Sequence, residues 1–186
     1  MSNLVIFLGP PGAGKGTQAV TIAKEKSLAH ISTGDMLREH VSNETELGKI
    51  AKTLLDEGKL VPDSLVIEML QERLLSNDCA NGAILDGFPR TIAQAESLET
   101  VNAEFKISKV IVFEADHDEL IKRILNRGET SGRSDDTEES VSVRLEVYEN
   151  DTAPLIEYYE LKNLVVKINA VGDVESIYNL ILKEFE

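Results

Sequence analysis

The run Gly9-Pro10-Pro11-Gly12-Ala13-Gly14-Lys15-Gly16-Thr17 follows directly on the apolar stretch Leu4-Val5-Ile6-Phe7-Leu8. A short apolar strand, a glycine-rich turn and a helical pattern, in that order, are the setting of a phosphate-binding loop. Glycines let successive backbone N–H groups curl around an anion, because a Cβ would block the approach. The helix that follows aims its free N–H groups and its positive dipole end at the same point. Lys15 then reaches the outer phosphates of a nucleotide. One detail departs from the common spacing, which puts a hydroxyl directly after the lysine. Here Gly16 holds that place and Thr17 comes one later. The position after Lys15 therefore offers no hydroxyl ligand to magnesium.

A chain of 186 residues, 42% of them hydrophobic, suits one compact domain with a sizeable core. The formal net charge of −14 argues against nonspecific binding to nucleic acid or to an anionic membrane. Cys79 is the single cysteine, so no internal disulfide and no cysteine-based zinc site can form. No apolar stretch approaches the roughly 18 residues that span a bilayer. The N-terminus reads as a core strand rather than a signal peptide, so a cytoplasmic location is expected. Basic residues number 19 against 33 acidic ones. An acidic protein that binds a polyanion must gather its few guanidinium groups, which here are Arg38, Arg73, Arg90, Arg123, Arg127, Arg133 and Arg144.

Apolar runs and turn signals predict strands near 4–8, 29–31, 83–86, 110–114 and 164–168. Helical periodicity lies between them. It covers 15 to about 26, then 63–75 through Val66, Ile67, Leu70 and Leu74, and then Leu120, Ile121, Ile124 and Leu125. A last helix is marked by Val174, Ile177, Ile181 and Phe185. Alternating units of this kind predict an α/β fold, a parallel sheet covered by helices on both faces. Ligands of such sheets bind beyond the carboxyl ends of the strands. Residues 34–61 read as short helices broken by Gly48 and Gly58, and 128–136 as a polar loop. Both are candidates for elements that close over a ligand, with Gly128 and Gly132 as bending points.

The strand at 83–86 ends in Asp86, a carboxylate placed to hold magnesium through its waters. The competing reading is a turn aspartate before Gly87. Arg90 follows, ahead of a helix opened by Thr91, and Thr91-x-x-Gln94 also fits a capping box. Ser32-Thr33-Gly34-Asp35 has the look of an N-cap, with Arg38 one turn later. Asp136 and Glu139 are candidate caps of the next helix. There Arg144 falls inside the stripe of Val141, Leu145 and Tyr148 and needs a partner, either a carboxylate or a phosphate. Set beside the other arginines, the phosphate is favoured. His30, His40 and His117 stand apart from every motif and read as packing or surface residues.

Five blocks together resemble a known family: GPPGAGKGTQ at 9–18, STGDMLR at 32–38, GKLVP at 58–62, DGFPRT at 86–91 and RGETSGRSDD at 127–136. In this order, across most of the chain, they are similar to the short-lid nucleoside monophosphate kinases, most of all the adenylate kinase group. The resemblance implies a P-loop core with a five-stranded parallel sheet over 1–31, 62–125 and 137–186. It adds a helical flap for the acceptor at 32–61 and a short lid at 126–136, without the long zinc-bearing lid. Gly12, Ala13, Gly14, Lys15, Gly16 and Thr17 would wrap the phosphates of ATP. Thr33, Arg38, Lys59, Leu60, Val61, Gly87, Phe88, Pro89, Arg90 and Gln94 would form the AMP site. Arg127 would lie over ATP, with Arg133 and Arg144 clamping the phosphates on the AMP side. Gly172 would offer backbone to the ATP adenine. Lys15, Arg90, Arg127, Arg133 and Arg144 would thus be the catalytic cations.

The implied activity is reversible transfer of a phosphoryl group from ATP to AMP, giving two ADP. Mg²⁺ would enter with ATP near Asp86, and no zinc is expected. A monomer is expected, with small nucleotides as its partners and neither nucleic acid nor membrane among them. The alternatives are a UMP/CMP kinase, disfavoured by Thr91-x-x-Gln94-Ala95, and a nucleotide-binding switch or scaffold without turnover. A switch needs one nucleotide site, whereas these arginines suit two.

Overall fold

The computed structural model describes residues 2–101, 105–131 and 136–185, with the backbone alone for 101 and 129–131. Among these, five parallel strands form one sheet in the order β2-β3-β1-β4-β5. They are β1 (Ser2–Leu8), β2 (Ala29–Ser32), β3 (Gly82–Asp86), β4 (Phe105–Glu114) and β5 (Val165–Asn169). The central β1 is buried from Leu4 to Leu8, and its continuous apolar run is what a strand covered on both faces requires. Its side chains alternate between two cores. Leu4, Ile6 and Leu8 join one cluster with Leu85, Val112 and Tyr159. Val5 and Phe7 join the other with Ile22, Ile124 and Ile177.

The first face is covered by α4 (Asp63–Leu74), α5 (Ile92–Val101) and α8 (Pro154–Glu160). The second is covered by α1 (Lys15–Lys26), α6 (His117–Ser131), α7 (Glu138–Val147) and α9 (Val174–Leu182). Two further helices, α2 (Thr33–Ser42) and α3 (Glu46–Asp56), pack chiefly on each other beyond the end of β2. A π-type turn, Tyr148–Thr152, joins α7 to α8. In register, Phe7 lies opposite both Asp86 and Ile111, and Ser32 lies opposite Asp86. The carboxyl ends of β1, β2 and β3 therefore open at one level. The order reverses at β1, whose two neighbours lead away to opposite sides, and this is where a ligand crevice forms.

The structure differs from the sequence expectations in three places. The first is β4, which begins at Phe105 rather than at 110. Its first half alternates in burial, and the register slips between Leu4 and Val5. Ser108 is the extra residue, and its hydroxyl donates to the Leu4 carbonyl at 3.1 Å. Second, Gly48 does not break a helix; it sits in the first turn of α3, and the break falls at 43–45. A Cβ on Gly48 would stand 2.0 Å from the His40 carbonyl oxygen, so α2 and α3 meet over a missing side chain. Third, 128–131 is not loop: α6 continues to Ser131. A Cβ on Gly128 would come within 2.9 Å of the Asp136 carbonyl oxygen, so this glycine is a point of close approach within the helix. Gly132 and Arg133 lie outside the described residues.

Replacing Gly48 by alanine is expected to lower the unfolding free energy by about 1–3 kcal/mol, because backbone rather than a flexible side chain must move. Urea unfolding of the variant and the parent measures this.

Candidate active site

The crevice at the strand ends is a cavity of about 450 Å³, a size suited to small-molecule ligands. Its floor is the 9–17 loop. Gly14, with φ +88°, is the N-cap of α1 and supplies no side-chain cap, so the first N–H groups of α1 stay available to an anion. The Lys15 ammonium turns back on the loop and donates to the carbonyls of Gly9 at 2.7 Å and Pro10 at 2.8 Å. A Cβ on Gly16 would lie 3.1 Å from Asp86 Oδ2, so the position after the lysine stands directly against the carboxylate at the end of β3.

Burial pushes the Lys15 ammonium down from 10.5 to about 8. Asp86 opposes the shift, while Arg90, Arg144 and Arg127 add to it. Four cations from four segments of chain thus feel one another inside one cleft. Each guanidinium is aimed by a local acceptor. Arg90 Nε donates to the Gly87 carbonyl at 2.9 Å, and Arg38 pairs with Asp35 at 2.6 Å. Arg127 forms two bonds to Asp136, of 2.7 and 2.6 Å, and Arg144 a third of 2.7 Å. The Asp136 side chain has 0% exposure. Burial pushes its carboxyl up, but the bonds and charges of Arg127 and Arg144 outweigh this and hold it below 3.8. Asp136 is therefore not a cap. Thr137 caps α7, accepting from the Ser140 N–H at 3.2 Å. Both partners considered for Arg144 remain in play: it has a carboxylate, and it faces the cleft.

The far side of the cleft is built from the β2 and β3 ends. Ser32, not Thr33, caps α2, accepting from the Asp35 N–H. The Thr33 hydroxyl instead donates to the Gly87 carbonyl at 2.7 Å, tying the two strand ends together. The capping reading of Gln94 holds in part. Its N–H donates to Thr91 Oγ1 at 3.2 Å, and its own Oε1 accepts from the Arg90 N–H at 2.8 Å. Its amide also donates to Asp63 at 2.7 Å, and Thr91 donates to the other oxygen of that carboxylate at 3.0 Å. Gln94 is thus fixed in orientation at the cleft wall.

Of the residues singled out in the sequence, Gly12, Gly14, Lys15, Gly16, Thr17, Thr33, Arg38, Lys59, Leu60, Val61, Asp86, Gly87, Pro89, Arg90, Gln94, Arg127 and Arg144 line the cleft. Ala13 and Phe88 do not; each is 1% exposed and packed into the core beneath. Gly172 is exposed, with φ +126°, on the turn after β5. Arg123, one turn before Arg127, donates to Ala170 O at 3.0 Å and so anchors that turn. His30 is not isolated: it lines the cleft, with Nε2 3.8 Å from Asp86 Oδ2. The legible signal was the alternation of buried Ala29 and Ile31, which turns His30 and Ser32 to the opposite face of β2. Asp136 was in view as a cap, yet nothing local to its sequence marks it as a partner of two arginines.

Asp86 fits a magnesium ion that arrives with a nucleotide. Its side chain is 15% exposed beside the phosphate loop. Among the described residues, no group of three or more His, Cys, Asp or Glu could hold a metal by itself. A single carboxylate suits a cation that keeps its waters and takes its other ligands from phosphates.

The adenylate kinase family model matches residues 7–164. The chain belongs to the adenylate kinase family. It is 47% identical over 181 residues to the adenylate kinase of Leptospira biflexa, covering 96% of this chain and 97% of that protein. It is 49% identical over 183 residues to that of Parabacteroides distasonis, covering 97% and 96%. With the adenylate kinase of Thermus thermophilus the identity is 46% over 180 residues, covering 96% and 94%. An adenylate kinase moves a phosphoryl group reversibly between ATP and AMP, and this chain is such an enzyme. Among the described residues no helix is long and apolar enough to cross a membrane.

Asp136→Asn is expected to lower the unfolding free energy at pH 7 by about 1.5–3 kcal/mol, since charged hydrogen bonds are lost. The folded carboxyl lies below its unfolded value, so its contribution is present above that value and lost as pH falls through the folded one. The gap between parent and variant, followed by denaturant unfolding, therefore narrows below about pH 4.

Proposed function

We propose that Lys15, Arg90, Arg127, Arg133 and Arg144 carry the transfer of the ATP γ-phosphoryl group to AMP. The observation that supports this most is the convergence of Lys15, Arg90, Arg127 and Arg144 on one cleft of an acidic protein. Gly12 to Thr17 hold the donor phosphates through backbone N–H groups, and Gly172 meets the donor adenine. Thr33, Arg38, Lys59, Leu60, Val61, Gly87, Arg90 and Gln94 receive AMP, with Phe88 and Pro89 shaping that wall. Residues 32–61 act as a flap and 126–136 as a lid. The enzyme works as a cytoplasmic monomer on ATP, AMP and ADP.

The attacking group is a phosphate oxygen already ionised at neutral pH, so no strong general base is required. A bond forms between that oxygen and the γ-phosphorus while the bond to the departing ADP oxygen breaks. The residues act by alignment and by charge. Arg90 and Arg144 lie where the acceptor phosphate meets the donor. Lys15 and Arg127 face the donor side, and Asp86 is the residue that would hold a magnesium ion through its waters. A magnesium ion held there would supply neutralisation of the phosphate charge.

Incubation with Mg-ATP and each of AMP, UMP, CMP and GMP tests the reading, with ADP followed directly. AMP is expected to be the best acceptor; faster turnover with UMP or CMP overturns the acceptor assignment. Arg144→Ala is expected to reduce kcat by about 10²–10³ with the fold retained; a near-normal rate removes Arg144 from the list.

Lys15 gives a pH test. Its folded value near 8 means that it is partly deprotonated just above that pH, whereas an anion favours the charged form. ATP binding is therefore expected to take up protons at pH 8–9 and to weaken as pH rises further. Calorimetry in buffers of different ionisation enthalpy detects the uptake, and Lys15→Arg abolishes it.

A further inference from the structure

Gln18 lies one turn beyond Lys15 on α1 and is 3% exposed. Its Nε2 donates to the Val174 carbonyl at 2.9 Å, bridging 156 residues of sequence. Its Oε1 is buried and makes no hydrogen bond among the described residues. A buried polar atom without a partner is unfavourable. An apolar side chain of similar volume would fill the same space without that penalty. What the amide adds over such a side chain is therefore its bond to Val174.

That bond reaches an exposed turn. Val171 is 49% and Val174 is 59% exposed, and Gly172 stands between them. The turn is held at its other end by Arg123 on α6, through the Ala170 carbonyl. The Ala170 N–H also donates to the Glu114 carbonyl at 2.7 Å, continuing the β4–β5 ladder. So the turn hangs from two helices, and each carries a cation of the cleft one turn away: Lys15 on α1 and Arg127 on α6. Asp173 caps α9, accepting from the Ser176 N–H at 2.8 Å, and the Val171 N–H donates to Asn169 Oδ1 at 3.1 Å, so Gly172 is the exposed point between two short-range supports.

We propose that Gln18 is a positioning residue for recognition of the donor base. This rests on the assignment of Gly172 to the donor adenine made above. Gln18 fixes the distance between the phosphate loop and the Gly172 turn. The triphosphate and the base are then measured against one rigid frame, and a base whose edge does not match cannot shift the turn to suit itself. Without the bond, the phosphates are still gripped, but the turn must be ordered on each binding event, and base contacts weaken.

Gln18→Leu and Gln18→Met, compared with the parent, test the assignment through steady-state KM for ATP and AMP and calorimetric binding of ATP and inorganic tripolyphosphate. Both variants are expected to raise the KM for ATP roughly tenfold and to shrink the preference for ATP over tripolyphosphate by the same factor. Tripolyphosphate affinity, the KM for AMP and the melting temperature are expected to stay near those of the parent. A parallel rise in both KM values, a fall in tripolyphosphate affinity matching that of ATP, or no change in the KM for ATP in either folded variant overturns the proposal. A parent that binds tripolyphosphate as tightly as ATP overturns the Gly172 assignment itself, and the role of Gln18 falls with it. A parent that prefers ATP, with variants that keep the preference, overturns the role of Gln18 alone.

Discussion

Repulsion among like charges governs this cleft. Lys15, Arg90, Arg127 and Arg144 sit close enough that the arginines help to depress the lysine. Such a cluster persists only if carboxylates and carbonyls are interleaved with it. Asp86 and Asp136 supply the charge, while the carbonyls of Gly9, Pro10 and Gly87 supply the dipoles. Asp86 ends β3, and the turns at Gly9–Pro10 and at Gly87 follow directly on β1 and β3. The sheet order brings those turns to one edge, so the topology is what makes the charge arrangement possible. A cluster of this kind is also well suited to two anionic ligands at once, since each arriving phosphate relieves repulsion already present.

The elements of the core were legible because burial on both faces leaves little freedom in sequence. The run from Leu4 to Leu8 has no reading other than a central strand, and the glycines behind it admit few readings other than an anion loop. The early part of β4 was not legible as strand, because Phe105-Lys106-Ile107-Ser108 is half buried and its alternation spans only four residues. Gly48 misled for a physical reason: a glycine can be a breaker, or it can be the only residue that fits between two backbones. Sequence alone does not distinguish these, since the distinction depends on the His40 carbonyl that lies against it.

The site was legible where residues act through type and position along the chain, as with Lys15, Asp86 and Arg90. It was not legible where they act through pairing across the fold. His30 looked isolated because Asp86 is distant in sequence and close only after β2 pairs with β3. Asp136 looked like a helix cap because its neighbours Thr137 and Glu138 open α7. Its actual partners, Arg127 and Arg144, sit on two helices whose packing brings three side chains together.

Gly128 has no side chain and no chemistry, yet it decides where a charge is placed. Because nothing projects from α6 at this point, the backbone of Asp136 can lie directly against the helix. That contact sets the carboxylate within two hydrogen bonds of Arg127, on the residue just before Gly128. A methyl group there would push the carboxylate outward and change the aim of both arginines it holds. An empty position on the helix is thus a component of the electrostatics of the cleft, as much as the guanidinium groups beside it.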